Sequence, residues 1–465
     1  MLEITSQDKF LYSSKNRFRL LAVSCFIIIC SFFPLVFFHT LSVKIPALYI
    51  LTTCTIYLII IYKNKLNKYE IGIFLFLFIQ LLALAPKFDE LSHRLTATFL
   101  LSFRYGISSR GLQGTIIDFL SNGSFVSKLL VWHFIFCSLI LLIFLISVYL
   151  GSVIKESEKN NTKSLVLFLS ILFLTCFVSP ATYFAPHNFG RSEIYALIFT
   201  LLSLAVIDKP YFKWAIPFFA LFIISTHLIF VFFYIPFIFI LMFYKLPVKK
   251  EYIALFFVSF LIVITSFILY LLFSKQTFVF PNANALAEHL STKTDIFVAP
   301  NYLHLIFFAE LQDHLSLYRE RMPGGFLKFG GNISILINFP IVLFFAYFWI
   351  KCFLHENQKY IKFFFILPLL LFLYHVPVFF LFFDFSRWMA MIIQIQLMLV
   401  LYLIYTGNKT VLFVTEKIVP VINKNWYAII IVCSLMLFLG PGREVPSDRV
   451  RHIIDGILLF FKISL

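Results

Sequence analysis

The sequence predicts an all-α protein, a polytopic transmembrane helical bundle of about 13 spans with a cytoplasmic N-terminus. Of its 465 residues, 61% are hydrophobic and 13% are charged, whereas soluble domains are about 45–50% apolar and about 25% charged. The apolar excess extends along the whole chain, which indicates one integral membrane domain, 1–465, and not a soluble domain with an anchor. The net charge of +16 comes from basic clusters between apolar runs. Membrane topology explains such clusters, so they are not a nucleic-acid signal.

The spans follow from length. A helix needs about 20 apolar residues to cross the hydrocarbon core, and the ranges that meet this criterion are 19–38, 45–62, 70–86, 129–152, 164–184, 193–208, 252–273, 333–350, 362–383, 387–406 and 426–440. The run 214–244 is long for one span and short for two. Ser225, Thr226 and His227 at its middle favour a tight hairpin of two short helices.

The distribution of lysine supports this topology. With the N-terminus inside, most lysines fall in cytoplasmic connections, including Lys409, Lys417 and Lys424, whereas the short outer loops hold few basic residues. This is the asymmetry that the positive-inside rule describes. If 214–244 were one helix, every later connection would change sides and the asymmetry would be lost.

Three longer segments are then predicted outside: the interfacial loop 87–128, the large loop 274–332 and the C-terminal tail 441–465. Most arginines of the chain lie outside in this topology. Either basic residue serves topology, so this preference indicates a use for the planar guanidinium, which binds phosphate or carboxylate with two parallel hydrogen bonds. The alternative is that arginine–carboxylate pairs only hold the outer loops together.

Motifs of soluble enzymes are missing from the sequence. It has no phosphate-binding glycine loop with a lysine, no dinucleotide fingerprint, no HExxH and no CxxC pair. Cytoplasmic nucleotide hydrolysis is therefore not expected. The seven cysteines stand in apolar runs or at a helix end without metal-ligand spacing, so we predict buried small hydrophobes. No cofactor or structural metal is expected, and a divalent cation as a cofactor is left open.

Polar residues collect at the predicted outer ends of the helices and form the candidate site. The candidate catalytic residues are Asp89, Glu90, His187 and His227. The candidate substrate-binding residues are Arg94, Arg104, Arg110, Arg191, Glu193, Arg319, Arg321, Asp384 and Arg387. Adjacent carboxylates can raise one another's pKa, which suits a general base. The alternative for the first group is structural, because Asp89–His93 and Glu90–Arg94 have the i,i+4 spacing of helix ion pairs.

Three segments carry a family resemblance: RYGISSRGLQG, HNFGRSE and DFSRW. With the multi-span layout, they resemble bacterial O-antigen or capsule polymerases of the Wzy type and, more distantly, lipid-phosphosugar glycosyltransferases of the GT-C superfamily. The resemblance implies an inner-membrane enzyme that joins undecaprenyl-pyrophosphate-linked oligosaccharides at the periplasmic face. It implies that Arg104, Arg110, Arg191 and Arg387 hold the pyrophosphate, and that Asp89 or Glu90 deprotonates the acceptor, with His187 or His227 as the other candidates for that base.

Two further functions stay open at this point. A transporter or flippase for the same lipid-linked glycan would use the arginines as a cation-lined path, and a non-enzymatic partner in envelope assembly would use the outer clusters for docking. The expected partners are the polyprenyl-linked glycan, the lipid bilayer and other polysaccharide-assembly proteins.

Overall fold

A computed structural model describes residues 66–87, 90–108, 110–175, 183–184, 188–247, 250–273, 277–304, 331–375, 385–427 and 431. The helices are α1 (Lys68–Leu84), α2 (His93–Thr96), α3 (Gly111–Leu120), α4 (Lys128–Ser157), α5 (Lys163–Thr175), α6 (Ser192–Val206), α7 (Ile216–Thr226), α8 (Tyr234–Lys245), α9 (Glu251–Phe273), α10 (Ala283–Ser291), α11 (Pro300–Leu303), α12 (Gly331–His355), α13 (Lys359–Phe364), α14 (Leu367–Tyr374), α15 (Phe385–Tyr405) and α16 (Lys409–Lys424). Short 3₁₀ turns occupy Ala97–Leu100, Phe103–Tyr105, Glu158–Asn160, Phe212–Ala215 and Leu228–Phe232. No β-strand occurs among these residues, which confirms the predicted all-α class.

Several of these helices suit a bilayer. Within the described ranges, five helical stretches are long and apolar enough to cross a membrane by length and composition: Lys128–Asn160, Leu228–Lys245, Glu251–Phe273, Asn338–His355 and Arg387–Tyr405. Shorter apolar stretches are Lys163–Thr175, Ser192–Val206 and Phe212–Thr226. The predicted spans 19–38 and 45–62, most of 426–440, and the tail 441–465 lie outside the described residues.

Helices α1 and α4 run antiparallel and define two ends of the bundle. Asn67 caps α1 through its side chain, and its amide donates to the carbonyl of Gly151, late in α4, at 3.3 Å. At the opposite end, Trp132 Nε1 donates to the carbonyl of Pro86 at 2.8 Å. We call the first the lysine end, which carries Lys155, Lys163, Lys213, Lys245, Lys351 and Lys409, and the second the arginine end, which carries Arg104, Arg110, Arg191 and Arg387.

The ambiguous run between α6 and α9 folds as the predicted hairpin. It breaks at His227, whose backbone is extended (φ −168°, ψ 125°), and it returns through a 3₁₀ turn and α8. Before α7, Lys213 pairs with Glu251 at the start of α9. At the end of α8, Lys245 pairs with Asp208 at 2.7 Å. Both arms of the hairpin therefore start and finish at the lysine end, and its tip at His227 lies at the arginine end.

Helix α15 is the central helix of the described bundle. In the most apolar 18-residue stretch of α15, 89% is buried, whereas only 17% of the corresponding stretch is buried in the peripheral α9. Two wholly buried glutamines of α15 tie it to its neighbours. Gln394 Oε1 accepts from the hydroxyl of Tyr234 at 2.9 Å, and Gln396 Oε1 accepts from Trp349 Nε1 at 2.7 Å. These bonds satisfy polar groups that would otherwise be costly in an apolar core.

The two long segments predicted outside pack on each other. The amide of Val279 donates to the carbonyl of Tyr105 at 3.2 Å, and the amide of Val126 donates to the carbonyl of Lys293 at 2.7 Å. The sequence predicts that 87–128 lies on the membrane surface, but the residues 96–102 are buried. Phe99 explains this difference, because its ring packs edge-on against Phe134 and Tyr195 in the core.

Two regions depart from the predicted spans. In the predicted span 362–383, the helix is interrupted at Phe365 and Ile366, between α13 and α14, and Pro368 occupies the first turn of α14. The cytoplasmic connection predicted after the twelfth span instead contains α16, whose side chains Val411 and Val414 are buried. The charged side chains of α16 are exposed on the other side of the helix, so it is an amphipathic helix.

Candidate functional site at the arginine end

Arg110 is the centre of the candidate site. It stands immediately before α3, and its side chain is partly exposed. Its Nη1 donates to the hydroxyl of Tyr302 at 3.0 Å, and its Nη2 lies 2.9 Å from Nε2 of His227. Three segments remote in sequence thus meet at one guanidinium. The partner Tyr302 gave no signal in the sequence, because nothing in its surroundings marks it as more than one of many aromatic residues.

The local fold of 101–114 determines where Arg110 stands. Gly114 lets α3 approach the preceding backbone, since a Cβ there would lie 2.3 Å from the carbonyl oxygen of Leu101. On the other side of α3, the side-chain Nε2 of Gln113 donates to the carbonyl of Thr226 at 3.5 Å, one residue before the hairpin tip. Helix α3 is thereby held between its own loop and the hairpin, and its N-terminus places Arg110 beside His227.

The contact with Arg110 determines the tautomer of His227. A guanidinium only donates, so Nε2 of the imidazole accepts. The other nitrogen, Nδ1, faces the amide of Ile229 at 3.4 Å. A neutral imidazole cannot accept at both nitrogens, and the shorter, charge-assisted contact is the stronger. Burial lowers the pKa of His227 well below its ordinary value, and the cations of Arg110 and Arg387 lower it further. The ring is therefore neutral at physiological pH.

The described neighbours of Arg110 consequently do not neutralise its charge. Both of its hydrogen-bond partners, Tyr302 and His227, are uncharged groups, and no carboxylate among the described residues pairs with it. A partly buried guanidinium beside neutral groups has a stronger field than one in water or in an ion pair. This position suits an anionic ligand.

A second arginine at this end does have a carboxylate partner. Arg387 Nε lies 3.2 Å from Oε1 of Glu193, which is only 2% exposed. The guanidinium also lies 4.2 Å from the ring centre of Trp388, which stacks on Phe233 of the hairpin. The pair joins the N-termini of α6 and α15. For Glu193 and Arg387 the geometry favours the structural alternative, in which they position the wall around His227.

Arg191 stands next to this pair. It is the N-cap residue of α6 and is partly buried. Its amide donates to the carbonyl of Asn188 at 3.2 Å, which closes the turn before the helix. The turn includes Gly190, which has a positive φ of 96°. Arg191 is thus at the same end of the bundle as Arg110.

Arg104 belongs to a different group at the arginine end. Its exposed guanidinium lies over the backbone of Gly123 beside Asp118, which accepts from the hydroxyl of Ser102 at 3.3 Å. The adjacent Tyr105 packs edge-on against His289 at 5.7 Å. Desolvation lowers the pKa of His289, and the cations of Lys293 and Arg104 add to the shift. Burial raises the pKa of Tyr105, and Asp118 raises it further.

Glu90 is the one predicted carboxylate base that the structure describes. It is exposed, accepts from the amide of Lys87 at 3.2 Å and pairs with the ammonium of the same lysine at 4.0 Å. Arg94 lies in α2, but its side chain is outside the described part. The other candidates outside the described residues are Asp89, His187, Arg319, Arg321 and Asp384.

Metal ligands and relatives add no further information. Across the described ranges, no group of three or more His, Cys, Asp or Glu side chains stands close enough to hold a metal ion. Comparison of the chain with family models, with curated proteins and with solved structures finds no match.

Proposed function

We propose that this chain is a multi-pass protein of the bacterial inner membrane, with about 13 spans and a cytoplasmic N-terminus. In this topology the lysine end faces the cytoplasm and the arginine end faces the periplasm. The proposed reaction is glycosyl transfer from an undecaprenyl-pyrophosphate-linked oligosaccharide, in the polymerisation of O-antigen or capsule. The family resemblance of the sequence suggests this substrate.

The observation that carries the proposal is that the described hydrogen-bond partners of Arg110, Tyr302 and His227, are both neutral. A polyprenyl pyrophosphate is an anion whose phosphates lie at the membrane edge, and an arginine can bind it with two parallel hydrogen bonds. Because the partners of Arg110 are neutral, the guanidinium can turn to a phosphate without breaking an ion pair. Arg191 at the same end would supply a second cation.

The same contact suggests a proton acceptor. When Arg110 turns to the pyrophosphate, Nε2 of His227 loses its donor and becomes an available base. The acceptor hydroxyl attacks the anomeric carbon of the donor sugar, and its proton passes to Nε2. The bond between the anomeric carbon and the pyrophosphate oxygen breaks, and its electron pair leaves with the pyrophosphate, where Arg110 stabilises the developing charge. Asp89 and Glu90 remain the carboxylate alternatives for the base.

Deletion of the gene and gel analysis of surface glycan test the proposal. The deletion strain is complemented with wild type, Arg110→Lys, His227→Gln, Glu90→Gln and the matched control Arg104→Lys, with expression of each checked. We expect Arg110→Lys to lose the long ladder and to keep a single capped repeat, because lysine keeps the charge but not the two-bond geometry. Arg104→Lys should keep the ladder, because Arg104 lies against Gly123 and is not among the described contacts of Arg110 and His227.

The other outcomes assign the protein differently. Loss of all surface glycan in the deletion strain would indicate a flippase or an earlier transferase. A wild-type ladder from Arg110→Lys would contradict the proposed role of the guanidinium. Loss of the ladder in Glu90→Gln but not in His227→Gln would transfer the role of base to the carboxylate.

A further inference from the structure

A groove at the lysine end lies between α5, α12 and α16, and the proposed reaction does not use it. Its volume is about 540 Å³, and its walls are mainly apolar. The apolar lining comes from all three helices: Phe168, Leu172, Pro340, Phe344, Ile418 and Val421. Pro340 lies inside α12, where proline removes a backbone hydrogen bond and bends the helix.

The groove is amphiphilic, because cations stand along one part of it. Lys351 and His355 line it from α12, and Lys417 lines it from α16. Among the described residues, neither lysine has a carboxylate partner. Their ammonium groups lie over aromatic rings instead, Lys417 at 4.2 Å from Phe413 and Lys351 at 5.4 Å from Tyr347.

The described carboxylate that follows the end of α12 is already engaged. Glu356 is buried and accepts from the hydroxyl of Thr410 at 2.6 Å and from the amide of Gln358 at 2.9 Å. These bonds hold the connection after α12 against the start of α16. Within the described part of the chain, no carboxylate pairs with these two lysines, which therefore present positive charge to the groove.

The two faces of α16 suit a position at the membrane surface, from which we infer that the groove lies at headgroup depth. Its apolar face includes Val414 and Ile418, whereas Lys409, Glu416 and Lys424 are exposed on the other face. A helix with one apolar and one charged face lies in the plane of the interface between lipid and water. A groove under such a helix opens where lipid phosphates are found.

We propose that the groove binds one anionic phospholipid, with its phosphate on Lys351 and Lys417 and an acyl chain along Phe168, Phe344 and Ile418. The volume is within the range of about 300–1,000 Å³ for small-molecule sites and is too small for a helix of a partner protein. Positive charge at the groove selects an anionic headgroup over a zwitterionic one. This site is independent of the reaction proposed at the arginine end.

Lipid binding to the purified full-length protein in detergent tests the proposal, by native mass spectrometry with dioleoyl phosphatidylglycerol and dioleoyl phosphatidylcholine as probes. We expect a preference for phosphatidylglycerol that falls about tenfold in the double variant Lys351→Gln/Lys417→Gln, since each lysine attracts anionic lipid. The control is Lys359→Gln/Lys409→Gln, which removes two exposed lysines of the same end that do not line the groove. It should keep the preference of the wild type.

A second variant separates the groove from general surface charge. Ile418→Trp fills the apolar part without changing the charge, and it should reduce phosphatidylglycerol binding while the thermal midpoint stays near that of the wild type. Equal binding of the two lipids by the wild type, equal losses in the two double variants, or full binding by Ile418→Trp would each overturn the proposal. If the wild type binds neither lipid and the variant Val421→Cys forms cross-links to another protein, the groove is a protein contact. That result would also overturn the proposal.

Discussion

At the residue scale, the contact between Arg110 and His227 shows how two basic side chains can share a buried position. Two cations 2.9 Å apart would repel each other. The repulsion is avoided because burial and the neighbouring arginines lower the pKa of His227, and the neutral ring then accepts a hydrogen bond from Arg110. The contact thus joins one cation and one neutral base, which are the two kinds of group that the proposed transfer requires.

This arrangement predicts a pH dependence of stability. The folded pKa of His227 is below the unfolded value, so the folded state favours the neutral ring. The neutral ring makes its full contribution to the free energy of unfolding above about pH 6.5, the ordinary pKa of histidine. This contribution is lost as the pH falls towards the folded pKa, and the free energy of unfolding then decreases by up to about 1.4 kcal/mol per pH unit. We expect the thermal midpoint in detergent to fall less between pH 7.5 and pH 5.5 in His227→Gln than in the wild type.

A matched variant shows whether this effect is specific. His355→Gln replaces an exposed histidine at the lysine end, and it should keep the pH dependence of the wild type. Equal pH dependence in His227→Gln and the wild type would contradict the assignment of a neutral, buried imidazole at this position.

At the element scale, the arginine end depends on the packing of 103–128 against 277–304. Gly106 lies at this junction with a φ of 135°, in a region that is essentially restricted to glycine. A Cβ there would lie 3.1 Å from Cα of Phe278 and from the carbonyl oxygen of Thr277. The hydroxyl of Thr277 accepts from the amide of Ile107 at 2.9 Å, so the junction also organises the loop that leads to Arg110.

We therefore expect Gly106→Ala to lower the free energy of unfolding by about 1–3 kcal/mol, because alanine adds backbone strain and a close contact. The measurement is the thermal midpoint of the purified protein in detergent. Gly72→Ala is the control, because Gly72 lies in α1 with nothing within 4 Å of its Cβ position. Alanine there should be neutral or should raise stability by about 0.5–1 kcal/mol. A midpoint of Gly106→Ala equal to that of the control would show that the junction does not restrict this residue.

The elements differ in how far the sequence predicts them. The hairpin tip is predictable from the polar residues Ser225 and His227 at the middle of an apolar run. Polar side chains are unfavourable at the centre of a continuous span, so they indicate a turn. Helix α16 was missed, although Val411, Val414 and Ile418 have helical spacing, because its lysines were interpreted only as signals of a cytoplasmic loop. The apolar periodicity of a short amphipathic helix and the charges of a connection occur together in one segment, and only packing distinguishes them.

The site was predicted less completely than the fold. Arg110 and His227 were both candidates, but no local pattern relates residues separated by more than a hundred positions. Tyr302 was missed because its role arises from the packing of α11 beside the hairpin tip. Conversely, Arg387 and Glu193 were predicted to bind substrate, and their ion pair shows that the same residue types can also join two helix ends.

At the scale of the whole molecule, the lysine and arginine ends follow from different physical requirements. In the proposed topology, lysines at one end satisfy the positive-inside rule, and several also form contacts there, as Lys245 does with Asp208. The positive-inside rule does not require the arginines at the other end, so we infer another purpose for their contacts, which include the neutral groups around Arg110 and the Glu193–Arg387 pair. The proposed function depends on this polarity, because the pyrophosphate chemistry belongs to the periplasmic side.

Cysteine labelling tests the orientation. In a variant without the seven native cysteines, we introduce Ser124→Cys at the arginine end, and Lys159→Cys and Asn357→Cys at the lysine end, all at exposed positions. A membrane-impermeant maleimide added to spheroplasts should label Ser124→Cys and should label the other two only after lysis. Lys159 precedes the hairpin and Asn357 follows it, with four other predicted spans between them, so equal protection excludes a hairpin run that crosses the membrane only once. Labelling of Asn357→Cys in intact spheroplasts would reduce the hairpin to one crossing, and protection of Ser124→Cys would place the arginine end, and the site with it, in the cytoplasm.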